Sequence, residues 1–216
     1  MPVSKADQPV CYIVGAGECG RLNFSKTTGD LIIAADGGLI YLERESIAPD
    51  LVLGDFDSLE GEQPHGNVLT YPSEKDETDM FLAVRYAVER GFQRIEIYGG
   101  LGGRLDHTLA NIQTIVWAAR RGVRARLLGG SVALYAVADG ELRFPAGQSG
   151  GISVFCSGDR AEGVDLIGLK YPLNNAALTD EFPLGVSNEF TGRESVVRVR
   201  RGALVVLTDG AVQRKR

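Results

Sequence analysis

Apolar residues change their period part-way along this sequence, and that change limits the folds open to it. Before Gly122, short apolar runs rich in β-branched residues alternate with stretches of helical spacing. "VCYIV" (10–14), "LIIAA" (31–35), "LVL" (51–53), "NVLT" (67–70) and "RIEIY" (94–98) read as strands. Between them "DETDMFLAVRYAVERG" puts Met80, Phe81, Val84 and Val88 on one helical face, with Asp76 and Thr78 as capping candidates and Gly91 as terminator. "DHTLANIQTIVWAARRG" does the same with Leu109, Ile112, Val116 and Ala119, ending at Gly122, and "GLIYLERES" reads as a weaker helix. Alternating β and α segments predict an α/β, Rossmann-like domain with a mostly parallel sheet covered on both faces.

After Gly122 the sequence reads as short strands between turn residues: "VALYAVA", "GELRFP", "GISVFC", "SVVRVR" and "ALVVL". Val197 and Val199 alternate with Arg198 and Arg200, predicting one apolar face and one solvated basic face. The expected organisation is an α/β domain over residues 1–128 followed by an all-β sandwich domain over 129–216.

Composition excludes several classes. With 44% hydrophobic and 24% charged residues the chain is an ordinary globular protein, and its net charge of −5 argues against a nucleic-acid binder. No apolar run approaches the ~18 residues of a membrane span, and "MPVSKADQPV" lacks the apolar core of a signal peptide, so a cytoplasmic protein is expected. Three cysteines without a C-x-x-C pair read as buried free thiols, and two histidines make a poor zinc site. Any metal should be held by oxygen.

The polar clusters follow the first-half strands: "DGG" after Ala35, "GDFDS" after Leu53, "YPSEKDETD" after Thr70 and "GGLGGRLDH" after Tyr98. Ligands of open α/β sheets bind outside the carboxyl ends of the strands, so four clusters distant in sequence can meet in one crevice. Asp55 and Asp57, two apart, would point the same way from an extended segment and could share a magnesium ion, or could merely shape a turn. Asp76 and Asp79 stand near a helix start, where capping is the competing reading. Lys75 is either a point charge for phosphate or a solvated side chain. Gly102 and Gly103, with Arg104 and the helix start at Asp106, supply the parts of an anion cradle, or of an ordinary surface loop.

Two motifs invite other functions. "GAGECG" (15–20) satisfies G-x-G-x-x-G after a strand, with Asp36 at the distance of a ribose-binding acid, which suggests a nicotinamide-dependent oxidoreductase. No apolar helical stripe follows those glycines in "RLNFSKTTGD". "GQSGG" (147–151) matches G-x-S-x-G, but a strand follows it and both histidines precede it, so a hairpin turn is expected.

In their order, "AADGG", "PDLVLGDFDS", "EKDETD" and "GGLGGRLDH", then "GLKYPL" and "GVSNEF", resemble the thiamine pyrophosphokinase family. The resemblance implies transfer of diphosphate from ATP to the hydroxyethyl group of thiamine, giving thiamine diphosphate and AMP. It also implies a homodimer with the active site between subunits, an α/β domain for ATP and Mg²⁺, and a β-sandwich domain for thiamine. Carried over motif by motif, Asp55, Asp57 and Asp79 would hold Mg²⁺, and Asp36, Asp76, Asp106 and His107 would lie at the nucleotide with Gly102 and Gly103. Arg104 and Lys75 would face the phosphates, while Ser187 and Asn188 would grip the aminopyrimidine from the partner subunit. Some members stack an aromatic side chain on thiamine. Trp117 falls on a helical apolar face here, and Phe190 is either a substitute or core. A catalytically silent nucleotide-binding module remains the third reading.

Overall fold

The structure is a computed structural model that describes residues 8–54, 67–70 and 76–209. Asp55, Asp57 and Lys75 lie outside the described residues. The chain divides into two compact units: 1–114 with 127–130, and 115–126 with 131–216.

The first unit holds β1 (Val10–Val14), β2 (Leu31–Ala35), α1 (Gly38–Arg44), β3 (Leu51–Gly54), β4 (Val68–Thr70), α2 (Asp79–Glu89) and β5 (Arg94–Tyr98). It also holds the opening turns of α3 (Leu105–Ala119). Its strands run parallel in the order β5-β1-β2-β3-β4, with Ile13 opposite Ile33 and Ile97. Parallel strands require crossover connections, and α1 supplies that from β2 to β3 and α2 that from β4 to β5. All five residues of β1 are buried, as expected for a strand covered on both faces. Each such Ile or Leu contributes about 1.5–3 kcal/mol of burial free energy.

One crossover is not a helix. Residues 15–30 form no regular element, and Leu22 and Phe24 close the core instead. The Phe24 ring stacks on Tyr12 at 4.1 Å between centroids and tilts against Tyr98 at 5.5 Å.

Helix α2 starts at a true N-cap, where the Thr78 hydroxyl oxygen accepts the Phe81 N–H at 3.2 Å. It packs on β1, β2 and β3 through a buried set of Met80, Leu82, Ala83, Val84 and Ala87. Phe81 and Val88, expected on the core face, are only half-buried, and the Phe81 ring lies under the Arg85 guanidinium. In α3, Val116 and Ala119 are buried as expected, but Leu109 is 55% exposed. The reason is local: in the opening turns the buried position is polar Asn111, so an apolar stripe does not mark the inner face there.

Strand β6 (Arg124–Gly129) straddles the division between the units. The second unit contains β7 (Val132–Ala138), β8 (Glu141–Phe144), β9 (Gly151–Cys156), β10 (Arg160–Ile167), β11 (Leu173–Thr179), β12 (Gly185–Glu189), β13 (Ser195–Arg198) and β14 (Ala203–Asp209). Antiparallel pairing gives the runs β12-β9-β14-β7 and β11-β10-β13-β8. Val154, Val164, Leu166, Val197, Leu204 and Val206, drawn from both runs, share one core. The basic face of β13 is more than solvated. Arg198 bonds Glu141 at 2.9 Å and lies 3.6 Å from the buried Asp165 carboxylate, and the hydrogen bonds from Arg198 and Arg143 hold the Glu141 carboxyl below its usual range. "GQSGG" leads into β9 but closes no hairpin, because β8 before it pairs with β13 while β9 pairs with β12 and β14.

Of the three free cysteines only Cys11 is buried, and burial, with Asp50 and Asp30 nearby, pushes its thiol pKa far up. Cys19 and Cys156 are half-buried, which corrects the expectation of three buried thiols.

Candidate active site

The glycines of "GAGECG" act by being small. Gly15 N–H donates to the Tyr98 carbonyl and Gly17 N–H to the Gly99 carbonyl, both at 2.8 Å. A Cβ on Gly17 would lie 2.6 Å from the Gly99 oxygen, and one on Gly99 would lie 2.3 Å from the Gly15 oxygen. These contacts lock the segment after β1 to the segment after β5. No helix follows the glycines, and the first helix opens only at Gly38, after β2. A dinucleotide fingerprint needs its helix N-terminus at the pyrophosphate, so the oxidoreductase reading falls.

Beside this contact lies a hollow of about 680 Å³, a size suited to a small-molecule ligand. It is lined by the loops after β1 (Gly15–Gly17), β2 (Ala35, Asp36) and β5 (Gly99, Gly100, Gly102, Gly103), by the start of α2 (Glu77–Met80), and by Arg104, His107 and Asn111. Four segments distant in sequence thus meet outside the carboxyl ends of parallel strands.

Asp36 holds a left-handed backbone, φ 52°, and its N–H donates to the Leu53 carbonyl at 2.8 Å. A non-glycine residue in that region costs on the order of 1 kcal/mol, and such strain collects at functional sites. Asp79 is the first residue of α2, where a carboxylate complements the helix dipole. Arg104, His107 and Asn111 recur at helical spacing and put one polar face of α3 on the hollow. Asn111 is buried, and its amide donates to the Gly100 carbonyl at 2.8 Å, fixing the glycine loop. It was missed from the sequence, although the spacing of Arg104, His107 and Asn111 was available to find it.

Arg104 and Asp106 are both exposed and pair at 2.6 Å. The guanidinium hydrogen bond holds the Asp106 carboxyl at a pKa of about 2, helped by the His107 N–H, and the same bond raises that of Arg104. Asp76 and Asp106 are not among the residues that line the hollow. The carboxylates that do line it, Asp36, Glu77 and Asp79, are oxygen donors of the kind a hard divalent cation takes, and Glu77 is tied to Arg85. Among the described residues, no three Asp, Glu, His or Cys side chains converge closely enough to hold a metal.

Ser187 and Asn188 belong to β12, in the second unit. Pairing with β9 slips between Gly185 and Asn188, a bulge that contains Ser187 at φ 60°, with its N–H on the Ser153 hydroxyl at 3.1 Å. Asn188 is 4% exposed. Its side-chain oxygen accepts the Tyr171 N–H at 2.9 Å and its NH₂ donates to the Tyr171 carbonyl at 2.6 Å. Tyr171, from "GLKYPL", is 58% exposed, with the Lys170 ammonium 5.4 Å from its ring centroid. Phe190 is half-buried against the core, edge-on to Phe144 at 5.3 Å.

A parallel sheet with this crevice outside its strand ends, followed along the chain by an antiparallel β unit, defines a protein of mixed α/β class. Residues 25–127 match the family described as thiamin pyrophosphokinase, catalytic domain, and residues 141–205 match thiamin pyrophosphokinase, vitamin B1 binding domain. A thiamine pyrophosphokinase of Bacillus subtilis is 30% identical over 184 residues, 82% of this chain and 86% of that protein. Thiamin pyrophosphokinase 1 of Caenorhabditis elegans is 27% identical over 175 residues, 74% of this chain and 71% of its own. The crystal structure of the Bacillus subtilis enzyme superposes with a TM-score of 0.83 at 28% identity, covering 93% of this chain and 99% of that one. The chain belongs to the thiamine pyrophosphokinase family and is an enzyme, a transferase. The reading as a silent binding module falls with that assignment.

Proposed function

We propose that this protein transfers a diphosphate group from ATP to the hydroxyethyl oxygen of thiamine, releasing thiamine diphosphate and AMP. The observation that carries this reading is the convergence of Asp36, Asp79, Arg104 and His107 on one glycine-walled hollow. In the step itself the thiamine oxygen bonds to the β-phosphorus while the bond from that phosphorus to the AMP oxygen breaks, in line. The hydroxyl proton passes to solvent or a pocket carboxylate, because a loose transition state asks little of a base.

The protein's part is positioning and charge. Arg104 faces the phosphates, and Asp36 and His107 lie at the nucleotide beside Gly102 and Gly103. Asp55 and Asp57, with Asp79, would hold Mg²⁺, and the charge neutralisation that a bound Mg²⁺ supplies is what a polyphosphate reaction needs. Lys75 would add a point charge, and Asp76 and Asp106 would stand in the outer ring of the nucleotide site.

For thiamine, Ser187 supplies the polar contact and Tyr171 the stacking ring, in place of Phe190. Asn188 reaches the aminopyrimidine only through what its amide has left over after holding Tyr171. The working form is a homodimer in the cytoplasm, with thiamine offered by the partner subunit. In this reading residues 1–128 are a Rossmann-like catalytic domain and 129–216 a β-sandwich for thiamine. Incubation with ATP, Mg²⁺ and thiamine should yield AMP and thiamine diphosphate in equal amounts. ADP with thiamine monophosphate, or no thiamine ester, would overturn the proposal.

A further inference from the structure

The residues of "GAGECG" do not end their work at the glycines. Glu18 lies along the far loop: its carboxylate accepts the Gly103 N–H at 3.3 Å, across 85 residues of chain. Its stem lies flat on Gly102, where a Cβ would come 2.6 Å from the Glu18 carboxyl carbon and 2.8 Å from its Cβ and Cγ. Gly102 and Gly103 are both left-handed, φ 75° and 64°. Both line the hollow and Glu18 does not. The Gly103 N–H is therefore engaged with a carboxylate rather than held for an anion, and the carboxylate braces the loop from outside the lining.

We infer that Glu18 is a positioning residue: it holds the Gly102–Arg104 loop against the segment after β1 and so keeps Arg104 and His107 at the hollow. Three ties run in step along the two segments, Gly15 to Tyr98, Gly17 to Gly99 and Glu18 to Gly103. The first two use backbone atoms and the glycine close approach. Only the third uses a side chain, and it falls next to Arg104. Two successive left-handed glycines leave that stretch with no side chain of its own to pack, so an outside support is what gives it one conformation. The inference rests on the reading of this hollow as the polyphosphate site, because a brace there acts on ATP and not on thiamine.

The test compares the wild-type chain with Glu18→Gln and Glu18→Ala. Glutamine keeps an acceptor oxygen and the bulk over Gly102, and alanine removes both. In the ligand-free protein the Gly103 amide of Glu18→Ala should exchange its hydrogen about five to ten times faster, the loss of one hydrogen bond. Its KM for ATP should rise by about the same factor, with KM for thiamine unchanged, and Glu18→Gln should stay within about twofold of wild type on all three. Unchanged Gly103 exchange in Glu18→Ala overturns the inference. So does a Glu18→Gln enzyme as impaired as Glu18→Ala, which would make the role one of charge, or a KM for thiamine that rises with that for ATP. If the wild-type protein makes no thiamine diphosphate, the functional reading fails, and the exchange comparison still decides the brace.

Discussion

Asp79 occupies two roles at once, first residue of a helix and wall of the hollow, and they can be separated. Asparagine keeps the shape and much of the polarity at that helical position but removes the charge. Asp79→Asn should therefore melt within a few degrees of wild type while kcat falls by about 10²-fold or more, measured by steady-state AMP release. Full activity at saturating Mg²⁺ would remove Asp79 from the site. The Arg104–Asp106 pair gives a second prediction. A carboxyl depressed in the folded state contributes stability above its unfolded pKa of ~3.9, and that contribution is lost as pH falls through the folded value. Followed by NMR, Asp106 should titrate with a midpoint of about 2, and Arg104→Ala should move the midpoint back up towards the ordinary carboxylate range. At this scale the sequence marked residue types well and their partners poorly. The resemblance assigned Asn188 to the aminopyrimidine by residue type alone, and the structure adds that its side chain is a buried clamp on a peptide 17 residues away. Nothing local to "GVSNEF" announces that partner.

Among the elements, the first five strands were legible because each is a short apolar run between turn residues, and β1, β2 and β5 have the bounds expected. Strands β10, β11 and β12 were not. Their sequences "RAEGVDLI", "LNNAALT" and "GVSNE" are interrupted by glycine, asparagine or serine, and register shifts in β10 and β12 break the alternation that identifies a strand. In α2 Met80 and Val84 are buried as expected, but Leu82, Ala83 and Ala87 complete the inner face where Phe81 and Val88 were expected. Two substitutions test why the helices sit where they do. Thr78→Ala removes the N-cap hydrogen bond of α2 and should cost about 1 kcal/mol by chemical denaturation. Gly38→Ala places a Cβ 1.9 Å from the Val14 carbonyl oxygen at the end of β1, so α1 must shift outward. The expected loss is about 2 kcal/mol or more, and an unchanged denaturation midpoint would contradict the close approach.

For the whole molecule, the polar strand ends "DGG", "ETD" and "GGLGGRLDH" meet at the hollow as an α/β sheet predicts, while "GDFDS" lies almost wholly outside the described residues. A homodimer whose partner presents thiamine should lose specific activity on dilution as sedimentation turns from dimer to monomer, and a fully active monomer would reject the arrangement. The anchoring of Tyr171 has a consequence for altering what such an enzyme accepts. Asn188 grips only main-chain atoms there, so the ring is displayed without being part of its own mooring. If Tyr171 is the stacking ring proposed above, position 171 is in effect an exchangeable fitting, where other side chains can be tried against altered vitamins while the backbone beneath stays in place.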